Sequence, residues 1–182
     1  MQNLTPYTLP TPAVALLNLD IRCFRWIGAG RPDRPKRLHL AIQFARWSWV
    51  PLLAVISGTL AFRDHMLPPV LTALLSAGVL QLLVKRASKR WCAKRPFAVG
   101  LCDNHLGHSD RGGMPSTHAA VMGCVAGALM PWVGVGSELV LIPVIAVLTG
   151  WARVHAGAHF PSDVVAGLLM GMAFGWGTSH WL

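Results

Sequence analysis

Between Gly150 and Asp163 the chain reads GWARVHAGAHFPSD, a run that carries Arg153, His155, His159 and Asp163. From Gly112 to Leu182 only Glu138, Arg153 and Asp163 are charged, so two of three fall in this run, with His159 between them. An ionisable group in or beside a membrane segment costs several kcal/mol unless it has a partner, which makes such groups functional candidates. One reading is structural: an Arg153–Asp163 salt bridge that pins two helix ends. The other is chemical. His159 stands four residues before Asp163. A carboxylate bonded to one ring nitrogen would fix the tautomer and leave the other nitrogen free to attack phosphorus. His118 can protonate a leaving oxygen. Lys89, Arg95 and Arg153 offer fixed positive charge, which a phosphoryl transition state needs because its charge spreads over three equatorial oxygens. Pro115 is placed at the first position of a helix whose free N–H groups favour an anion, and Gly112-Gly113 lets the backbone come close.

These groups must be brought together by apolar helices. The chain has 182 residues, 53% of them hydrophobic and only 13% charged. A soluble domain is nearer a quarter charged. The expected fold is therefore an all-α membrane protein, with about five transmembrane helices and an N-terminal interfacial amphipathic helix, forming one domain over residues 1–182. Residues 1–37 form the interfacial segment. Its helix, Ala13–Ile27, follows Thr11-Pro12 and puts Val14, Leu17, Ile21 and Phe24 on one face. Asp20, Arg22 and Arg25 interrupt it, so it should lie on the membrane surface. Spans are predicted at Leu38–Phe62, Met66–Val84, Pro115–Pro131, Leu139–Ala152 and Val164–Leu182. In the first, His39, Gln43 and Arg46 form a polar stripe that either snorkels or faces the site. Because five spans alternate direction, the exit of the second, the start of the third, the exit of the fourth and the entry of the fifth share one side. Glycines at four-residue spacing in the third and fifth spans (Gly123, Gly127, Gly167, Gly171, Gly175) predict a close-packing face.

Net charge is +9, from 16 Lys and Arg against 7 Asp and Glu. In a membrane protein this points to anionic lipid headgroups or an anionic substrate, and no nucleic-acid partner is expected. Of the eight tryptophans, Trp47, Trp49, Trp132, Trp151, Trp176 and Trp181 fall near predicted span ends. The four cysteines show no metal-ligand spacing, and neither a metal nor another cofactor is expected. Cys92 and Cys102 share a loop and could bridge in an oxidising compartment; two free thiols are the expected state. Asp103-Asn104-His105 and His108-Ser109-Asp110 contain ligand-type residues at no recognised spacing and are read as solvated loop. His155 and His180 are read as interfacial.

The chain resembles the type 2 phosphatidic acid phosphatase superfamily of metal-independent acid phosphatases over about residues 84–171. Arg153, five residues, His159, three residues and Asp163 match that family's third motif, with Ala152 in its serine slot. Pro115-Ser116-Thr117-His118 matches the second, with Thr for Gly. Arg95-Pro96 matches the end of the first, but Ser88 stands where lysine is expected and Lys89 is one residue too close; Lys85 is the other candidate. The resemblance implies that His159 is the nucleophile, supported by Asp163, that His118 is the general acid, and that Lys89, Arg95, Ser116, Thr117 and Arg153 hold the phosphate. Leu17-Asn18-Leu19-Asp20, Phe24-Arg25-Trp26-Ile27-Gly28-Ala29 and Arg95-Pro96-Phe97 are similar to bacterial undecaprenyl pyrophosphate phosphatases of the bacitracin-resistance type. That narrower likeness implies a lipid diphosphate substrate and a multi-pass protein of the bacterial inner membrane with a periplasm-facing site. Alternatives of the same chemistry are phosphatidylglycerol phosphate, phosphatidic acid or lipid A as substrate. A non-enzyme alternative is a haem-binding membrane protein with His118 and His159 as axial ligands.

Overall fold

The computed structural model describes residues 11–91, 93–134 and 137–180. A Cys92–Cys102 bridge, Trp181 and the last residues of the fifth predicted span lie outside them. Seven α-helices are described: α1 (Thr11–Trp26), α2 (Pro35–Trp47), α3 (Trp49–Phe62), α4 (Leu67–Trp91), α5 (Thr117–Leu129), α6 (Leu141–His155) and α7 (Pro161–Ser179). The described residues contain no strand.

The first predicted span is two helices, not one. α2 and α3 meet at Ser48 and are bent by 52°. Pro51 explains the break: it has no N–H to donate to Trp47, and its ring clashes with the carbonyl four residues back. Trp47 and Trp49 therefore flank a bend instead of marking a span end, with ring centroids 5.7 Å apart. By length and composition two helical segments can cross a membrane, Asp64–Trp91 and Glu138–His155, and the bent α2–α3 pair makes a third. Two of the five predicted spans are not among these: α5, which has only 13 residues against about 20 for a span, and α7, which is 19 residues long but not apolar enough over its described residues. α5 is also buried along nearly its whole length by α4, α6 and α7. Its surroundings are protein, so lipid thickness does not set its length.

The glycine pattern predicts the α5–α7 contact well. A Cβ added at Gly171 would stand 2.1 Å from the Ala120 carbonyl oxygen, and one at Gly175 would stand 2.0 Å from that of Cys124. Side chains absent there let two backbones touch. The main core, including Leu52, Ile56, Val70, Leu80, Val125, Leu129 and Ile142, lies between α3, α4, α5 and α6. Large apolar side chains point outward from the long helices, among them Leu75, Leu82, Val147 and Leu169. Such a surface is disfavoured in water and suits lipid.

α1 does not lie free on a surface. Leu17, Ile21 and Phe24 pack with Phe160 and Val164 of the site end, and the Phe24 and Phe160 rings meet edge to face at 6.1 Å. Asp20, read from sequence as an interruption, is buried beside them. Val14 remains exposed, as do Leu16, Leu19 and Trp26.

Candidate active site

His159 sits in the turn between α6 and α7 and is 2% exposed. Its Nδ1–H donates to the Gly113 carbonyl at 2.8 Å, and its Nε2 accepts from Arg95 Nη1 at 3.1 Å. Both contacts require the tautomer with the proton on Nδ1. Asp163 was expected to hold that proton. Its Oδ2 lies 3.7 Å from His159 Nδ1 and instead accepts from the Phe160 backbone N–H at 2.8 Å. Asp163 is the third residue of α7, so its carboxylate is closest to the helix's own unsatisfied first turn. The Gly113 carbonyl fixes the tautomer, with Asp163 as an electrostatic neighbour. Burial, then Arg153 and Arg95, hold the His159 imidazole well below its ordinary pKa. The ring is therefore neutral at pH 7, with its lone pair on Nε2.

Arg95 comes from the loop after α4. Besides His159 it donates to the Ala158 carbonyl at 2.8 Å and, through Nη2, to the Gly112 carbonyl at 3.0 Å. Arg153, near the end of α6, is 3% exposed and gives Nη2–H to His108 Nε2. Arg153 and Asp163 are not paired, so the salt-bridge reading fails. The Nε atoms of Arg95 and Arg153 and the Ser116 hydroxyl are buried with no protein partner. Three such orphans in one region are costly without a ligand, and all three suit an anion.

Ser116, Thr117 and His118 begin α5, with Ser116 as the residue that precedes its first turn. Pro115 lies outside the helix, joined to Met114 by a cis peptide bond, not at its first position. Gly113 serves a different purpose from the one expected. A Cβ there would press on the Ala93 and Lys94 carbonyls at 3.3 and 3.2 Å. Its N–H also donates to Ala93 at 2.9 Å. The glycine thus lets two loop strands cross and so aims its own carbonyl at His159.

On α4, Lys85, Ser88 and Lys89 share one face, being three and four residues apart. All three line a cavity of about 710 Å³ together with Arg46, Arg95, Arg111, Arg153, His108, His118, Thr117 and His159. The ambiguity over the first-motif lysine thus has a geometric answer: both lysines face the same space. Among the described residues six cations and no carboxylate line this cavity. Trp49, Val121 and Met122 add apolar surface to the same lining. Of the polar stripe on α2 only Arg46 arrives; His39 and Gln43 bond to each other in an exposed position.

The model of the PAP2 superfamily matches residues 66–182. The chain belongs to the PAP2 superfamily. It is 32% identical over 162 residues to an Escherichia coli K12 protein named "Putative undecaprenyl-diphosphatase YbjG", which covers 86% of this chain and 79% of that one. Among solved structures it is similar to Aquifex aeolicus LpxE, with TM-score 0.66 and 25% identity over 88% of this chain and 94% of that one. It shares its fold with the first transmembrane PAP2 type phosphatidylglycerolphosphate phosphatase from Bacillus subtilis, with TM-score 0.64 and 23% identity over 92% of this chain and 86% of that one. Together with the apolar outer surface, these likenesses make it a membrane protein of a phosphatase family.

In this PAP2 chain the structure brings every predicted site residue to one end of the helix bundle. It also adds two that sequence reasoning missed. His108, read as solvated loop, reaches Arg153. Asp20 accepts from the Ser162 backbone N–H at 3.0 Å and from its hydroxyl at 2.5 Å, clamping α1 to the first turn of α7. Burial, and more weakly Asp163, push the Asp20 carboxyl up, against the two Ser162 hydrogen bonds. The sequence signals for Asp20 were a charge on an otherwise apolar face and its place in the Leu17-Asn18-Leu19-Asp20 run that carries part of the narrower family likeness. His155, read as interfacial, is 4% exposed beneath the turn after α1, where its carbonyl accepts from Gly30 N–H at 3.1 Å.

Proposed function

We propose that this protein is a membrane lipid phosphatase that hydrolyses undecaprenyl pyrophosphate to undecaprenyl phosphate through a phosphohistidine at His159, in the bacterial inner membrane and facing the periplasm. The observation that carries this reading is the cavity. Among the described residues the lining holds six cations and no carboxylate, with apolar Trp49, Val121 and Met122 beside them, which suits a strongly anionic headgroup on a lipid tail. The YbjG likeness favours a diphosphate.

In this reading the terminal phosphate settles among Arg95, Arg153 and Ser116 and supplies their missing partners. It draws Arg95 away from His159 and frees the Nε2 lone pair. Nε2 attacks phosphorus as the P–O bond to the lipid phosphate breaks, and His118 gives a proton to the departing oxygen. Water then attacks the phosphohistidine, His118 takes its proton, and the P–N bond breaks to release inorganic phosphate. Lys85, Lys89 and Thr117 face the remaining oxygens. Axial haem ligation by His118 and His159 would leave the six cations that line the cavity unexplained.

The test is phosphate release from a panel of undecaprenyl pyrophosphate, phosphatidylglycerol phosphate, phosphatidic acid and lipid A 1-phosphate, run with EDTA present. Highest kcat/KM on the pyrophosphate is expected. His159→Ala should abolish turnover and the alkali-stable, acid-labile label that rapid quenching is expected to trap on the wild type. Substantial turnover in that variant would remove His159 as nucleophile, and preference for another lipid would replace the substrate.

A further inference from the structure

His108 has no role in the mechanism above, yet its position is built. The Asn104 side chain clamps its backbone on both sides: Nδ2 donates to the His108 carbonyl at 2.7 Å, and Oδ1 accepts from the His108 N–H at 3.0 Å. This holds the imidazole at the cavity, with Nε2 on the guanidinium of Arg153. Arginine only donates, so Nε2 is the acceptor and the proton sits on Nδ1. A neutral ring thus covers one N–H of Arg153 that would otherwise be offered to an anion, while Arg153 Nε stays buried and unpartnered.

We propose that His108 is a substrate-contacting residue that hands Arg153 over to the incoming phosphate and then, protonated, donates to that same phosphate. This rests on the phosphatase reading. An anionic oxygen is a far better acceptor for Arg153 than a neutral imidazole. Once displaced, Nε2 meets an anion and takes a proton from solvent, so one proton is bound with the phosphate. Burial, then Arg153 and Arg95, hold the unliganded ring down at about 4, which keeps it neutral until the anion arrives. The other groups facing this space are His118 from α5, His159 from the α6–α7 turn, Lys85 and Lys89 from α4, Arg46 from α2 and Arg111 from the loop. Asp110 lies outside the cavity lining, its carbonyl accepting from the Arg95 N–H.

Sulfate is the probe, since it is a tetrahedral dianion that does not titrate between pH 5 and 8. Its inhibition constant is measured across that range in wild type and in His108→Gln, which keeps an acceptor but cannot take a proton. Wild-type binding should tighten toward pH 5 more steeply, leaving the variant roughly tenfold weaker there, as expected for one lost charge-assisted hydrogen bond. If His108→Gln does not fold, His108→Asn serves as the second variant. Parallel pH profiles would overturn the proposal, whether or not overall affinity had dropped. Absence of wild-type hydrolysis on every lipid phosphate would instead overturn the phosphatase reading.

Discussion

His118 and His159 differ in what surrounds them, and that difference fits the separate tasks proposed for them. His159 is buried, with both nitrogens committed. His118 lies exposed to the cavity, where a leaving oxygen can reach it. His118→Ala should lose roughly 10²–10⁴-fold in kcat on a lipid monophosphate, the usual worth of a general acid. The loss should be smaller on a pyrophosphate, because a departing phosphate needs a proton less than an alkoxide does. Equal losses on both substrates would count against a proton-transfer role. Arg153, His159 and Asp163 were legible in the sequence because they lie within eleven residues of one another, at a spacing that one helix end, a turn and the next helix start can realise. His108 was not legible. It reaches Arg153 only because residues 93–113 fold back on themselves through Arg95 N–H to the Asp110 carbonyl and Gly113 N–H to the Ala93 carbonyl. Backbone contacts of that kind leave no periodic trace. The Gly113 carbonyl that orients His159 is invisible for the same reason: any residue carries a carbonyl, and only the path of the chain aims it.

The helices position the site through contacts near their ends. α7 presents Asp163, and its first turn is held from outside by Asp20 of α1. Asp20→Ala should leave the Ser162 N–H and hydroxyl without their buried acceptor. The expected cost is about 2 kcal/mol in detergent unfolding, in the range for hydrogen bonds to a charged group. kcat should fall with it, and Asp20→Asn should recover part of both. If Asp20→Ala unfolds as the wild type does, α1 contributes nothing to the first turn of α7. Along its length α7 is held differently. Gly171→Ala would drive a methyl onto the Ala120 carbonyl, and overpacking of rigid backbone costs about 3 kcal/mol. Gly177→Ala, where nothing lies within 4 Å, should be neutral or gain up to about 1 kcal/mol from helix propensity. Measuring both separates close packing from propensity on one helix. The glycine spacing made this contact readable in advance. The α2–α3 bend was readable in principle from Pro51, but an apolar run on both sides of it favours a single span when hydropathy alone is averaged.

Across the molecule, charge is almost wholly gathered at the end that holds the cavity. Arg63 stands alone among the 16 Lys and Arg residues in belonging to the far end by its position in the chain. There it pairs with Glu138 at 3.3 Å. The positive-inside rule would turn the catalytic end toward the cytoplasm. Hydrolysis of a lipid carrier released on the outer face requires the opposite. The structure weakens the rule's force, because Arg46, Lys85, Lys89, Arg95, Arg111 and Arg153 line the cavity and Arg31 pairs with Asp33 at 2.7 Å. Cations used by a site are present whichever way it faces. The N-terminal group, including Arg22, Arg25 and Arg34, is left for lipid headgroups on either side. A thiol reporter decides between the two orientations, but Cys102 is a poor one. A Cβ on Gly157 would lie 2.3 Å from its sulfur and one on Gly30 would lie 2.6 Å from its Cβ, so the side chain is wedged between two backbones. Burial, then Asp103, push its thiol up to about 11, and only a thiolate reacts readily with maleimide. Asp103, next to it, is exposed in the same loop. In Asp103→Cys with Cys23 and Cys92 replaced, a membrane-impermeant maleimide should label intact spheroplasts to the same extent as permeabilised ones. Labelling only after permeabilisation would turn the catalytic end to the cytoplasm and exclude a carrier lipid on the outer face as its substrate.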